Sequence, residues 1–425
     1  MAEVAAKLAL YMLAARLLDV EECGVLFICL TWVLLAGTIS RIGIERGLSR
    51  LIPAELALYQ GRAARTVLLR GGAIVTAAGL GLGLITALAA PFAADHLFHA
   101  APALPGLRAC GLVIPVLTLA VTLGFVLVGF HRPVLSQILQ NLLWPFGMLI
   151  GLGLGVRDAA GLMLIMAATQ LFAILAAIVA IAGHRRDLAA DSALPADAEL
   201  LPSLWHTALP LYVVELVQVS IATLPVLILG VFADPAAVSS FSIALRASML
   251  VLVVLLSLSM VASPRFAALH RQGNWSELAA VNHRTQMLGG VLGLLVCAVL
   301  AAGAPFLLTL IGRNFTGGVP ALLILLAGQT VNALYAGQDG LLAMTGQGNA
   351  LRLLNLAQLA VMLVLCFVLI PRLNALGAAA VTAIVTAQGA VGTAMAVATF
   401  FPRATPRLVP PVPAPLRKLL LRLAA

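Results

Sequence analysis

Acidic side chains are scarce in this sequence, with 16 Asp and Glu among 425 residues against 25 Lys and Arg, and charged residues of both signs make up only 10% of the chain. A water-soluble surface on a chain this long needs far more charge, which excludes a soluble globular fold. Aromatic residues are also few, at 5%, and the Lys and Arg residues punctuate apolar runs without rings between them. The formal charge of +9 therefore does not describe a nucleic-acid-binding surface. Five cysteines, Cys23, Cys29, Cys110, Cys297 and Cys366, are scattered and sit mostly inside apolar runs. They offer neither a disulfide framework nor metal-ligand spacing. His96, His99 and Asp95 have a helical spacing but lie on a short loop, where chance accounts for it. Long polar intervals are missing too, so there is no room for a soluble catalytic or nucleotide-binding domain and no enzyme is expected.

What the chain does have is apolar residues, 62% of the total. Each membrane span needs about 20 of them, and solid runs without alternation exclude a barrel. The runs predict about twelve helices, over 4–18, 24–44, 66–91, 108–130, 133–155, 159–183, 205–232, 235–262, 286–311, 319–344, 351–370 and 376–400. The stretch 23–70 sets the pattern: an uncharged run, then Arg41, Glu45, Arg46 and Arg50, read as a span followed by a basic loop. A looser copy lies about half a chain later, where Asp234, Ser239, Pro264 and Gly273 echo Asp19, Gly24, Pro53 and Gly61. Two related halves follow, a common plan among transporters.

The longest polar interval between spans, with two prolines and mixed charge, divides a six-helix bundle over 1–183 from a second over 204–400, with a cytoplasmic linker over 184–203 and a basic Pro-rich tail over 401–425. With the amino terminus inside, most Lys and Arg residues fall on the cytoplasmic side, and only Arg16, Arg108, Arg157, Arg313 and Arg372 fall opposite. The positive-inside rule then puts both termini in the cytoplasm. The glycines at 79, 81 and 83 and at 151, 153 and 155 lie inside apolar runs and are read as helix-packing positions, not phosphate loops.

Charges inside spans cost several kcal/mol, so each is a functional candidate. Arg246 is the deepest, roughly 5 Å from the middle of its run at 1.5 Å per residue; a salt bridge to a neighbouring helix is its structural alternative. On a continuous helix Arg41 and Glu45 can pair, while Arg46 and Arg50 form a second couple with no acidic partner, which is what an anion would meet. Fixing topology at the headgroups is the alternative for these arginines. Arg16 lies near the outer end of the first span, on the side disfavoured for cations, where snorkelling is the alternative to a task. The span acids are Glu215 and Asp339, at similar depth, with Tyr335 one helical turn before Asp339. They could bind Na+ or exchange a proton, or Glu215 could simply pair with Arg246 and Asp339 face solvent.

Residues Ala15-Arg16-Leu17-Leu18-Asp19-Val20-Glu21-Glu22-Cys23-Gly24, Phe241-Ser242-Ile243-Ala244-Leu245-Arg246 and Pro264-Arg265-Phe266-Ala267-Ala268-Leu269 with Gly273 resemble motifs of the oligosaccharide flippases of polysaccharide biosynthesis. These belong to the multidrug, oligosaccharidyl-lipid and polysaccharide exporter superfamily, together with the multidrug and toxin extrusion antiporters and the lipid II flippases. The resemblance implies two six-helix bundles around a central cavity that opens alternately to either side of a bacterial inner membrane. It further implies that Arg16, Arg41 and Arg246 meet the diphosphate of an undecaprenyl-linked glycan delivered by polysaccharide assembly machinery. No cofactor is expected beyond Na+ or H+ as coupling ion. On the antiporter branch, Glu215, Tyr335 and Asp339 would form the cation site, and the cargo would be a drug or metabolite.

Overall fold

In a bilayer the backbone can satisfy its polar groups only within its own segment, so the apolar runs form helices. The computed structural model describes residues 2–57, 61–98, 103–184, 188, 200–311, 313–405, 412–414 and 417. In order, the helices are α1 (Ala2–Leu17), α2 (Val20–Arg41), α3 (Ile44–Ala57), α4 (Gly61–Phe92), α5 (Ala103–Gly129), α6 (Pro133–Gln137), α7 (Leu143–Gly153), α8 (Ala159–Ala182), α9 (Leu200–Phe232), α10 (Pro235–Arg271), α11 (Trp275–Ala302), α12 (Ala304–Ile311), α13 (Val319–Leu334), α14 (Gln338–Met344) and α15 (Gly348–Phe400). A π-helical turn, Ile138–Leu142, links α6 to α7 as one span.

The protein is an all-α, polytopic membrane protein. Among the described residues nine helices are long and apolar enough to cross a membrane, and the pair α13–α14, bent by 49°, makes a tenth. Helix α15, at 53 residues, would run about 80 Å at 1.5 Å per residue, far beyond a hydrocarbon core of about 30 Å. Asn374, at φ 49° and ψ −126°, breaks it into two passes. Adding the short α1 recovers the about twelve passes expected from span length.

The first half interrupts its long helix at Ile42–Gly43, whereas α10 continues through Pro264. The chain divides into two compact units, Met1–Ser239 and Ser240–Ala425. Helix α9, which the sequence assigns to the second bundle, packs against α2 and α3 in the first unit. Most of the expected linker, and nearly all of the tail beyond 405, lie outside the described residues.

The basic segment after the second span is not a loop: 44–57 is a helix. Ile44, Leu48 and Ile52, spaced four apart, are fully buried against Val67, Val75, Val126 and Leu127. That apolar stripe outweighs the charges on the opposite side.

Small residues set the spacing of α4 and α5. Gly79 faces Pro115 and Thr118, and a Cβ on Gly83 would collide with the carbonyl oxygen of Gly111. Gly81, on the other side of the helix, faces open space. Gly83→Leu is expected to destabilise the first unit by about 1–3 kcal/mol through overpacking, while Gly81→Leu leaves thermal unfolding in detergent unchanged. Equal midpoints for the two variants would contradict the seam. The second glycine series divides similarly: a Cβ on Gly151 would strike Ile165, whereas Gly153 and Gly155 face open space.

Candidate functional site

The first unit carries a buried ion cluster at the junction of α2, α3 and α9. Its geometry starts from the backbone. Ile42 (φ 53°) and Gly43 (φ 75°) are both left-handed, which ends α2 and redirects the chain into α3. A β-branched residue there is strained. The Gly43 carbonyl accepts from the amides of Arg46 and Gly47, at 3.2 and 3.3 Å, and this closes the first turn of α3.

The turn folds Glu45 back onto Arg41, whose Nε donates to Glu45 Oε1 at 3.2 Å. The expected pair therefore forms, but across the break between α2 and α3 and not along one helix. Arg41 Nη2 also donates to Thr38 Oγ1 at 3.1 Å and to Glu215 Oε1, from α9, at 3.2 Å. Glu215 Oε2 accepts from Arg46 Nε at 2.7 Å. Arg46 thus has an acidic partner, contrary to the reading from helical spacing, because the partner comes from a helix 169 residues further along the chain. Tyr212, one turn before Glu215, donates its hydroxyl to the Ile39 carbonyl at 3.4 Å.

Two guanidinium groups and two carboxylates make the cluster neutral overall. Arg41 is 5% exposed and Glu45 1%, so each charge depends on the others. Glu45 Oε2 is buried with no hydrogen-bond partner. Burial pushes the Glu45 carboxyl above its ordinary value, with Arg41 pulling it down and Glu215 pushing it up. An acid raised in the folded state holds its proton more tightly there than in the unfolded chain. Its stabilising contribution is full below the ordinary Glu value and is lost as pH rises through the raised one. Thermal midpoints should fall across that window in the native protein and flatten in Glu45→Gln; identical slopes would contradict this linkage.

The remaining cationic candidates are Arg16, Arg50 and Arg246. Arg16 is exposed in the last turn of α1, and Arg50 is exposed on α3. Arg246 is half-buried on α10, in the second unit, where its Nη1 donates to the Ser242 carbonyl at 3.0 Å. Beside it the Ser242 hydroxyl is buried without a partner.

The second unit holds a broken helix. Between α13 and α14 the chain passes through Tyr335, Ala336 and Gly337, with Gly337 at φ 85°. Any Cβ there would sit 2.8 Å from Thr285 Cγ2. Gln286 Nε2 donates to the Leu334 carbonyl at 2.8 Å, satisfying an end of the interrupted helix. Asn282 and Gln338 exchange two amide bonds, at 3.3 and 3.1 Å, and Asn282 also donates to the Ala404 carbonyl at 2.8 Å. Tyr335 is buried, whereas Asp339 is exposed in the first turn of α14. The two are therefore not one turn apart on a single helix as expected, since the left-handed glycine and the bend come between them. Broken spans with polar supports are a recurrent form of transporter binding site. Asn282 and Gln286, one turn apart, were not singled out in the sequence; two amides in step on a span were the available signal.

Among the described residues no group of His, Cys, Asp or Glu could hold a metal. His96 stacks on Phe92, and His99 lies outside the described residues.

No protein-family model matches this sequence, and no curated protein matches it. Among solved structures, an inward-facing MATE-family multidrug resistance transporter of the MOP superfamily aligns over 92% of each chain with a TM-score of 0.71 and 16% identity. The lipid II flippase MurJ in an inward closed conformation aligns over 93% of this chain and 85% of its own, with a TM-score of 0.72 and 11% identity. A MOP-superfamily transporter from Pyrococcus furiosus, described as having a binding pocket of reversed polarity, aligns over 100% of this chain and 94% of its own, with a TM-score of 0.58 and 15% identity. The chain has the fold of this group of transporters.

Proposed function

We propose that this protein moves an undecaprenyl-diphosphate-linked oligosaccharide across a bacterial inner membrane by alternating access, for polysaccharide or lipopolysaccharide export. The observation that carries the reading is Arg246, a guanidinium kept well inside a 37-residue span where a cation is expensive unless it has work to do. A diphosphate is the complementary charge, and guanidinium groups recognise it in bidentate fashion. The fold shared over nearly the full chain with a lipid II flippase supports a lipid-linked cargo, whose tail stays in the bilayer while its head crosses.

In this reading Arg16, Arg50 and Arg246 meet the headgroup, and Arg41 and Arg46 reach it only when Glu215 releases them. Coupling to Na+ or H+ would give direction. We assign that coupling to Tyr335 and Asp339 at the helix break, because both oxygens of Glu215 are occupied by guanidinium groups and a cation would meet repulsion there. Both termini then lie in the cytoplasm.

A cation-coupled drug or metabolite antiporter is the second reading, favoured by the likeness to the MATE-family transporter. Reconstitution into liposomes separates the two. Translocation of a fluorescent polyprenyl-diphosphate glycan, without efflux of cationic dyes, is the expected result. Ion-driven dye efflux without glycan movement would overturn the flippase reading.

A further inference from the structure

The second unit has a cavity of about 370 Å³ along α11, lined by His283, Arg284, Gln286, Met287, Gly290, Val291, Leu294 and Leu334. Its two ends differ in chemistry. Arg284 is exposed and the Nδ1 of His283 is buried without a hydrogen-bond partner, whereas Met287, Val291 and Leu294 are apolar and exposed at 59%, 61% and 39%. Gly290 leaves the floor open, since a Cβ there would meet only the Ala333 carbonyl at 3.8 Å.

Depth along the membrane gives the occupant. Arg284 is the last charged residue before an uncharged run that ends with α11 at Ala302. Arg284 to Ala302 spans about 27 Å at 1.5 Å per residue, close to one hydrocarbon thickness of about 30 Å, so Arg284 stands at the headgroup level. The cavity continues from Arg284 to Leu294, about 15 Å along the helix, or half the hydrocarbon core. A cationic mouth with an apolar channel one leaflet deep matches one phospholipid, its phosphate at the mouth and an acyl chain on the floor.

We propose that this groove is a binding site for an anionic membrane phospholipid, with His283 and Arg284 on the phosphate and one acyl chain over Gly290 toward Leu294. Gln286 extends the site to the broken helix, because it lines the groove and holds the Leu334 carbonyl. The site is distinct from the proposed cargo residues.

Native mass spectrometry of the purified protein with phosphatidylglycerol or phosphatidylcholine tests it. Phosphatidylglycerol should be retained preferentially. Arg284→Ala should cut that retention about fivefold, and Gly290→Leu, which fills the channel with the charges intact, should cut it at least as much. Val299→Leu, on the same helix beyond the groove, should retain lipid like the native protein. Undiminished retention in both groove variants, equal retention of phosphatidylcholine, or full competition by inorganic phosphate would overturn the proposal.

Discussion

Arg41→Ala is expected to cost the first unit about 3–5 kcal/mol, the usual effect of removing one member of a buried ion pair. The substitution removes the Arg41 donor from Glu45, which is 1% exposed, and leaves Glu215 with Arg46 as its remaining guanidinium partner. Two carboxylates then face one another without the cation between them. Adding Glu45→Gln should restore much of the loss by removing the stranded charge, so the double variant should unfold at a higher temperature than Arg41→Ala alone. Denaturation in detergent, followed by size-exclusion chromatography, reads both variants. A change within about 0.5 kcal/mol for Arg41→Ala, the range of ordinary surface substitutions, would mean that the cluster does not hold α2, α3 and α9 together.

Arg246→Ala is expected to abolish translocation while leaving insertion and folding intact. Arg246 Nη1 donates to a carbonyl on its own helix, and replacing the side chain removes an internal charge that the membrane disfavours. Arg246→Lys should recover only part of the activity, since an ammonium is a point charge and cannot grip a diphosphate in bidentate fashion. The comparison separates recognition from simple charge. Full activity in the Lys variant would assign Arg246 a field effect only, and full activity in the Ala variant would remove it from the path of the cargo.

The spans were legible because their signal is local: an uncharged run either reaches across a bilayer or does not. The parallel between Asp19 and Asp234 was legible for the same reason, since both stand just before a long helix. Helix α3 escaped notice because its polar residues dominate the sequence, while its stripe of Ile44, Leu48 and Ile52 declares itself only against α4 and α5. The partner of Arg46 could not be read from helical spacing, because Glu215 arrives on another helix far along the chain. The turn at Ile42–Gly43 carries a β-branched residue in a conformation that its type disfavours, so residue propensity gives no reason to end the helix there. Gly337 is the opposite case: a glycine between Tyr335 and Asp339 is a local signal for a break in the helix, which helical spacing alone does not weigh.

In the proposed function, arginines in this apolar body recognise a diphosphate on a lipid. Binding of undecaprenyl diphosphate to the purified protein, measured beside undecaprenol of the same chain length, tests it most directly. Binding at least about tenfold tighter for the diphosphate, a difference of about 1.4 kcal/mol, with that advantage lost in Arg246→Ala, is the predicted result. Equal affinity for the charged and uncharged lipids would contradict it.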